Sequence, residues 1–434
     1  SVLFAYTDIA ADPQRYTWST DNCYHLFRVH ADGSGLQQLS DGPVNDFDPC
    51  FLPCGRIAFI SERRGGYGRC HGRPVPSFTL HSMLPDGTDI VCLSPHETNE
   101  WQPSVTHDGM LAYTRWDYVD RGHTQAHHAW TTYPDGRDPR AIHGNFRPSL
   151  QHAPTMDMDV RAIPGSGRLM ATAAAHHGQA FGSLIVIDPT IEDDNDMAPV
   201  KRLTPDQALP ETECSAHRDP LRFATPWPLN DTVTLCVYDR FSHSDRGSEN
   251  RYGIYLIDVF GNRELIYRDP DISCLSPMPL APRPTPPVIP NATDIGHAPG
   301  EPPATTVATH GTVAITTVYA STSPFPAHTR IAALRVIQLL PKTTPYAHNP
   351  AIGYGDQKGA RAVLGPVPVE EDGSAYFKLK AGIPVYFQAL DERGLAVQSM
   401  RSATYVKPGE HLLCNGVPST AHGGTERLAT DPAG

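Results

Sequence analysis

A repeated stretch of sequence constrains the fold of this 434-residue chain more than any other feature. The segment DFDPCFLPCGRIAFISER at 46–63 returns as EWQPSVTHDGMLAYTRWD at 100–117, and its proline and turn glycine both shift by 54 positions. Each copy is followed by a loop and then by a second pair of alternating segments with an Asp-Gly turn between them. Four short strands that repeat at roughly fifty residues are typical of a β-propeller blade.

Five such units are recognisable, and a sixth is predicted to begin at Ser273. The 43 prolines and 35 glycines favour short strands and turns over long helices. After a proline-rich stretch, alternating segments with EEDG and DERG turns predict an antiparallel β-sandwich, expected to act as a scaffold. We therefore predict an all-β chain, a six-bladed propeller followed by a sandwich. The expected boundaries are 1–285 for the propeller, 286–311 for the linker, 312–413 for the sandwich and 414–434 for a flexible tail.

The strand order assigns the connections to two faces. Because strands alternate in direction, the loops between the second and third strands of each unit share one face with the loops that join successive units. We call this face the loop face. The opposite face carries short hairpin turns such as Asp108-Gly109, and we call it the turn face. The loop face should contain 62–77, 116–128, 175–182 and 239–252. Binding sites collect on loops that a rigid scaffold holds, so we expect the functional site there.

The loop face carries side chains suited to anion and metal binding. Arginines hold anionic ligands bidentately, while histidine, thiolate and carboxylate groups suit a transition metal, with zinc the first choice. The candidate catalytic residues are Tyr67, Arg63, Arg115 and Asp117; the candidate ligand-binding residues are Glu62, Arg64, Glu100, Trp101 and Trp116; the candidate metal ligands are Cys70, His71, His128, His176 and His177. The simpler interpretation is that these charged groups pair with one another and lock the blades together.

Charge, hydropathy and cysteine usage limit the partners and the compartment. A net charge of -12 without a basic face argues against nucleic acid, and no apolar run approaches the roughly eighteen residues that a membrane helix needs. Nine cysteines without a CxxC pair favour disulfides or buried thiols, and hence a periplasmic or extracellular location. No GxSxG, HExxH or P-loop motif supports nucleophilic hydrolysis or nucleotide chemistry.

The stretch LGPVPVEEDGSAYFKLKAGIPVYFQALDERGLAVQSM, with SERRGGYGRC, NEWQPSV and YTRWDYVDR, resembles the hydrazine synthase alpha subunit and related proteins over nearly the whole chain. The resemblance implies an exported protein with a TolB-type propeller, a β middle domain and c-type haem domains. It also implies assembly with beta and gamma subunits and condensation of a nitrogen intermediate with ammonia at haem.

The chain departs from that family where a haem should be attached. A CxxCH motif supplies two thioether bonds and an axial histidine, but the segment after PGE reads Cys414-Asn415-Gly416-Val417-Pro418. No CxxCH occurs in the sequence. We therefore expect no covalent haem on this chain and interpret it as a haem-less relative.

Three functions are compatible with these sequence features. The first is an exported propeller that binds a metal or a small anionic ligand, with or without catalysis, and serves as a subunit of a redox assembly. The second is a polysaccharide lyase acting on acidic sugars, with Tyr67, Tyr118 or His128 as base. The third is a non-catalytic interaction scaffold.

Overall fold

The computed structural model describes twelve stretches of the chain and shows that strands are their regular elements. The described residues are 1–7, 22–69, 74–117, 127–142, 156–174, 180–191, 198–207, 222–240, 251–321, 325–353, 359–400 and 402–415. Within them there is no helix long and apolar enough to cross a membrane. The all-β class predicted from the sequence is confirmed.

Five antiparallel units form the first part of the chain. The first unit has strands β1 (Val2–Tyr6), β2 (His25–Val29) and β3 (Gln37–Gln38); the second has β4 (Asp46–Phe51), β5 (Ile57–Ser61), β6 (Thr79–Met83) and β7 (Val91–Cys92). The third has β8 (Glu100–Val105), β9 (Leu111–Trp116), β10 (His127–Thr132) and β11 (Arg140–Ala141). The fourth has β12 (Met156–Ala162), β13 (Leu169–Ala174), β14 (Gly182–Ile187) and β15 (Val200–Arg202); the fifth has β16 (Phe223–Pro228), β17 (Val233–Tyr238), β18 (Gly253–Asp258) and β19 (Arg263–Tyr267). The first strands β4, β8, β12 and β16 pack on one another in that order, as the inner strands of a propeller do.

A β-bulge recurs at the same place in each of these inner strands. One residue of each bulge has a positive φ near 50°: Asp48, Gln102, Asp159 and Thr225. Ser276, farther along the chain, has the same conformation. Three of these residues donate a backbone N–H to the side chain of the preceding residue in this series: Gln102 to Asp48 (3.0 Å), Asp159 to Gln102 (2.8 Å) and Ser276 to Thr225 (3.3 Å). This chain of hydrogen bonds ties successive units together at their inner strands.

The predicted sixth unit is present only in its first residues. Ser276 repeats the bulge conformation and is followed by a proline, like Asp48 and Gln102. However, residues 268–309 are all described and contain no strand, so no sixth set of strands follows. Eight prolines between 281 and 303 explain this, because proline has no N–H to give to a strand ladder.

The strandless segment runs along the turn face. The carbonyl oxygen of Pro287 lies against Gly109, so close that a Cβ on this glycine would approach it to 2.3 Å. The backbone N–H of Ala292 donates to Asp135 Oδ2 at 2.9 Å, and Arg56 donates to the carbonyl of His297 at 2.9 Å. The linker is therefore packed against the turns of the second and third units.

The second domain consists of two sheets packed face to face. Its strands are β20 (His310–Ile315), β21 (Ala333–Leu339), β22 (Arg361–Pro368), β23 (Ala375–Lys380), β24 (Val385–Leu390), β25 (Ala396–Ser399) and β26 (His411–Cys414). The orders are β23-β20-β26 and β22-β21-β24-β25, and β20 and β26 form a parallel pair in an otherwise antiparallel arrangement. Buried side chains from both sheets, among them Val313, Leu334 and Phe387, form one core. This confirms the predicted sandwich.

The cysteines do not form the predicted disulfides within the described part of the chain. Six described cysteines are free thiols: Cys50, Cys54, Cys92, Cys236, Cys274 and Cys414. Cys70 and Cys214 lie outside the described residues. Cys236 illustrates the reason, since it is fully buried in an apolar cluster with Phe223 and Ile257, where a thiol packs as a small hydrophobic group.

Candidate functional site

The first group of candidate residues, Glu62 and Arg63, follows the end of β5 and contacts the start of β4. Arg63 Nη2 donates to Asp46 Oδ2 at 2.8 Å and to the carbonyl of Asp41 at 2.7 Å. Glu62 accepts hydrogen bonds from the backbone and side chain of Asn45 at 3.3 and 3.0 Å. Burial raises the pKa of Glu62, with the Asn45 hydrogen bonds opposing the shift. Both candidates thus brace the loop that enters β4.

A second group surrounds the carboxylate of Glu97, which is 2% exposed. Arg69 Nε lies 3.8 Å from Glu97 Oε2, and Arg64 Nη2 donates to the Glu97 carbonyl at 3.4 Å. Neither carboxylate oxygen of Glu97 accepts a hydrogen bond from the described residues. Burial raises the pKa of Glu97, although Arg69 opposes that shift. Glu97 and Arg69 were not among the sequence candidates; both lie in loops assigned to the loop face, but their spacing matches no known motif.

The third group lies at the end of β9 and is fully buried. Arg115 Nη2 is 3.4 Å from Asp117 Oδ2 and donates to the carbonyl of Ala403 at 2.6 Å. Its guanidinium also stacks on the ring of Trp130, 4.0 Å from the centroid. Glu100 accepts from Leu80 N and Ser94 Oγ, each at 2.8 Å, and burial raises its pKa.

The sandwich domain covers this part of the loop face, which the sequence did not predict. The backbone N–H of Tyr67 donates to the carbonyl of Lys342 at 2.8 Å, and Arg115 reaches the carbonyl of Ala403, so two of the four candidate catalytic residues contact the second domain. Lys407 Nζ donates to the carbonyls of Cys92 and Leu93 at 2.6 and 2.9 Å. Sequence alternation located the strands, but it carries no information on which domain surfaces meet.

Aromatic rings form a stack beside these charges. Trp116 and His127 lie parallel with their centroids 4.4 Å apart, and Trp101 stacks on them at 6.3 and 5.8 Å. Trp116 is 6% exposed and His127 is 2% exposed, whereas Trp101 is half-buried. Trp101 is therefore the ring of this stack that offers surface to a ligand.

The metal prediction depends mainly on residues whose placement is not described. Cys70, His71, His176 and His177 lie outside the described residues. His128 in β10 is 1% exposed, and its Nδ1 lies 3.1 Å from Oδ2 of Asp157 in β12, which fixes the orientation of the ring. The described residues contain no group of three or more histidine, cysteine, aspartate or glutamate side chains that could hold a metal ion.

Guanidinium groups near the loop face retain unused donors. The Nε–H groups of Arg63, Arg64 and Arg115 are buried and have no hydrogen-bond acceptor among the described residues. Buried donors without partners are costly, so such groups indicate a site for an acceptor molecule or for water. The arrangement can hold an oxyanion, because guanidinium N–H groups match carboxylate and phosphate oxygens.

Comparison with known proteins relates a segment of the second domain, and the fold of the whole chain, to hydrazine synthase. A family model described as the hydrazine synthase alpha subunit middle domain matches residues 329–418. No curated protein matches the chain. The solved hydrazine synthase of Kuenenia stuttgartiensis is similar in structure, with 17% identity and a TM-score of 0.75 over 96% of this chain and 61% of that chain. This chain thus spans about three fifths of that chain's length.

Two other solved structures match only in part. TolB from Acinetobacter baumannii has 13% identity and a TM-score of 0.37 over 61% of this chain and 53% of that chain. An oligogalacturonate lyase in complex with manganese has 13% identity and a TM-score of 0.31 over 55% of both chains. Residues 329–418 thus match the middle domain of the hydrazine synthase alpha subunit, and the fold of the chain is similar to that of the solved hydrazine synthase.

Proposed function

We propose that the chain is a propeller-and-sandwich subunit of an exported redox assembly related to hydrazine synthase, and that its loop face binds a small oxyanion. The likeness to hydrazine synthase over 96% of this chain supports the assembly role, since a shared two-domain fold offers the same kind of surface to partner subunits. The role proposed for the described residues is binding; chemistry at a redox centre would come from partner subunits.

The observation that carries the oxyanion proposal is the set of unused guanidinium donors. The Nε atom of Arg64 is buried and its N–H has no acceptor among the described residues, and burial lowers the pKa of this guanidinium. An anion beside it would restore the lost solvation of the guanidinium and satisfy the donor. The adjacent Glu97 carboxyl, whose pKa is raised by burial, can donate a proton to the same ligand when it is neutral.

Calorimetric titration with nitrite, nitrate, acetate and phosphate tests this site. Replacement of Arg64 by Gln should weaken binding roughly tenfold or more, since a charged hydrogen bond contributes about 1.5–3 kcal/mol. The matched control is Arg137→Gln on the turn face, where Arg137 pairs with Asp135 at 3.0 Å. The proposal is wrong if no oxyanion binds, or if both variants lose affinity equally.

Metal binding is a separate part of the proposal. The described residues do not supply a ligand set by themselves, so a zinc site would need Cys70, His71, His176 or His177. Elemental analysis of natively purified protein should then show a stoichiometric transition metal, and replacement of both His176 and His177 by Ala should lower it. A wild-type protein without metal would remove this part and leave the oxyanion proposal intact.

A further inference from the structure

The outer face of the three-stranded sheet β23-β20-β26 is uncovered among the described residues. Alternate side chains such as Val313, Leu379 and Leu412 point into the sandwich core. The residues in between, which point away from the core, are His310, Thr312, Ala314, Tyr376, Lys378, Lys380, His411 and Leu413. We call these eight residues the outer sheet face.

The outer sheet face is cationic on an acidic chain. The sequence contains six lysines and has a net charge of -12, yet two of the lysines, Lys378 and Lys380, project from this face. None of its eight residues is an aspartate or a glutamate. Glu410, which precedes β26, is buried and accepts a hydrogen bond from the Lys407 backbone at 2.7 Å. The nearest exposed acids in sequence, Glu371 and Asp372, lie in the turn before β23, at the Tyr376 end.

The strand register sorts the face into rows. One row pairs Lys378 with Thr312 and Thr312 with His411, whose Nδ1 lies 2.6 Å from Thr312 Oγ1. The next row is apolar and places Ala314 between Tyr376 and Leu413. Tyr376 is 69% exposed and Leu413 is 41% exposed. The small Ala314 leaves a shallow depression between two larger side chains, next to a row of nitrogen-bearing groups.

We propose that the outer sheet face is a docking surface for an acidic segment of a partner polypeptide, with Tyr376 as its aromatic contact. Charge complementarity selects this occupant, because opposite charges across an interface raise association rates and exclude wrong partners. Tyrosine is enriched among the residues that dominate binding energy. A nucleic acid fits less well, since the net charge of -12 repels a long polyanion beyond the few residues of this face.

Fluorescence anisotropy with a labelled peptide rich in aspartate and glutamate tests the surface directly. The variant Lys378→Glu/Lys380→Glu should lose roughly tenfold or more in affinity, because reversing two charges replaces attraction by repulsion. Lys201→Glu is the matched control, since Lys201 is also exposed on a strand but lies on β15. Wild-type affinity should fall with added salt. The proposal is overturned if the peptide does not bind or if the control loses as much affinity.

Further measurements distinguish an acidic peptide from other molecules that could bind the outer sheet face. Tyr376→Ser should weaken peptide binding while leaving its salt dependence unchanged, and thermal unfolding of each variant checks that the fold is intact. Tighter binding of heparin or of a single-stranded oligonucleotide than of the peptide would overturn the proposal in favour of a polyanion site. Concentration-dependent dimerisation that Lys378→Glu/Lys380→Glu abolishes would overturn it in favour of a second copy of this chain.

Discussion

Three arginines near the loop face, Arg63, Arg64 and Arg115, have different partners in the structure. Arg63 binds Asp46 at 2.8 Å, whereas Arg115 is fully buried under the sandwich domain. The arginine-rich pattern of the sequence is compatible with either role, an ion pair within one unit or a buried contact with the second domain. Which partner an arginine selects depends on contacts between residues far apart in sequence, such as Arg115 and Ala403, and local spacing cannot reveal them.

Cys92 is a half-buried thiol with an unusual set of neighbours. Its cross-strand partner is His81. The Nδ1 of His81 lies 2.9 Å from the Thr79 carbonyl oxygen and therefore donates to it. The other ring nitrogen, Nε2, can then interact with the Cys92 thiol. Burial raises the pKa of Cys92, but His81, Lys407 and Arg64 outweigh it and lower the pKa to about 7. Thiolate, not thiol, is the nucleophilic form of cysteine.

We predict that Cys92 titrates more than one pH unit below an ordinary cysteine, whose pKa is about 8.5. The thiolate absorbance of wild type minus that of Cys92→Ser should show a midpoint near the pKa of about 7. His81→Gln should move this midpoint upward, because the imidazole that favours the thiolate is lost. A midpoint that stays the same in His81→Gln would show that the imidazole is not responsible.

At the scale of elements, the repeat predicted the strands well because alternation and turn glycines are local signals. It did not predict where the repeat would stop. Ser276 has the backbone conformation of the bulge residues and a following proline, but the prolines after it prevent strand pairing. The same segment, predicted as a linker, instead packs on the turn face through backbone contacts such as Ala292 with Asp135.

Packing of the linker can be tested at two glycines that differ in a single respect. Gly109 and Gly165 both have positive φ, at 85° and 72°, so replacing either with Ala costs about 1 kcal/mol of backbone strain. Only Gly109 has a neighbour in the way, since its Cβ would lie 2.3 Å from the Pro287 oxygen. Thermal unfolding should therefore show a larger loss of stability for Gly109→Ala than for Gly165→Ala.

Limited proteolysis provides the readout specific to the linker. Gly109→Ala should increase cleavage between residues 281 and 303, because the added methyl group displaces Pro287 from the turn face. Gly165→Ala should leave the cleavage pattern of wild type unchanged, since no described residue lies within 4 Å of its Cβ position. Equal cleavage in both variants would mean that the linker is not held by this contact.

For the molecule as a whole, the domains are joined through buried acids and bases. Glu410 of the sandwich accepts the backbone N–H of Asp138 in the third unit at 3.0 Å, and Lys407 binds carbonyls of the second unit. Burial raises the pKa of Glu410 to about 7 and those of Asp48 and Asp159 to about 6. Such groups are uncharged more often in the folded chain than in the unfolded one.

The sign of the resulting pH dependence follows from proton linkage. Between the ordinary pKa of Glu410, 4.5, and its folded value of about 7, the folded chain binds the proton more tightly. Stability therefore falls as pH rises through this interval. At about 1.4 kcal/mol per pKa unit, the difference between the two pKa values of Glu410 lowers the free energy of unfolding by an amount on the order of 3 kcal/mol across this interval. Asp48 and Asp159 act in the same direction, but over a range that ends near pH 6.

We predict that the midpoint of thermal unfolding rises when the pH is lowered from about 7.5 to about 5.5. Glu410→Gln should reduce this dependence, because its neutral amide can still accept one of the two backbone hydrogen bonds without losing a proton as pH rises. Unfolding followed across this pH range for both proteins measures the effect. Identical pH profiles for wild type and Glu410→Gln would show that Glu410 does not couple domain docking to pH. Docking would then depend on contacts that do not titrate in this range, such as those from Lys407 Nζ to the carbonyls of Cys92 and Leu93.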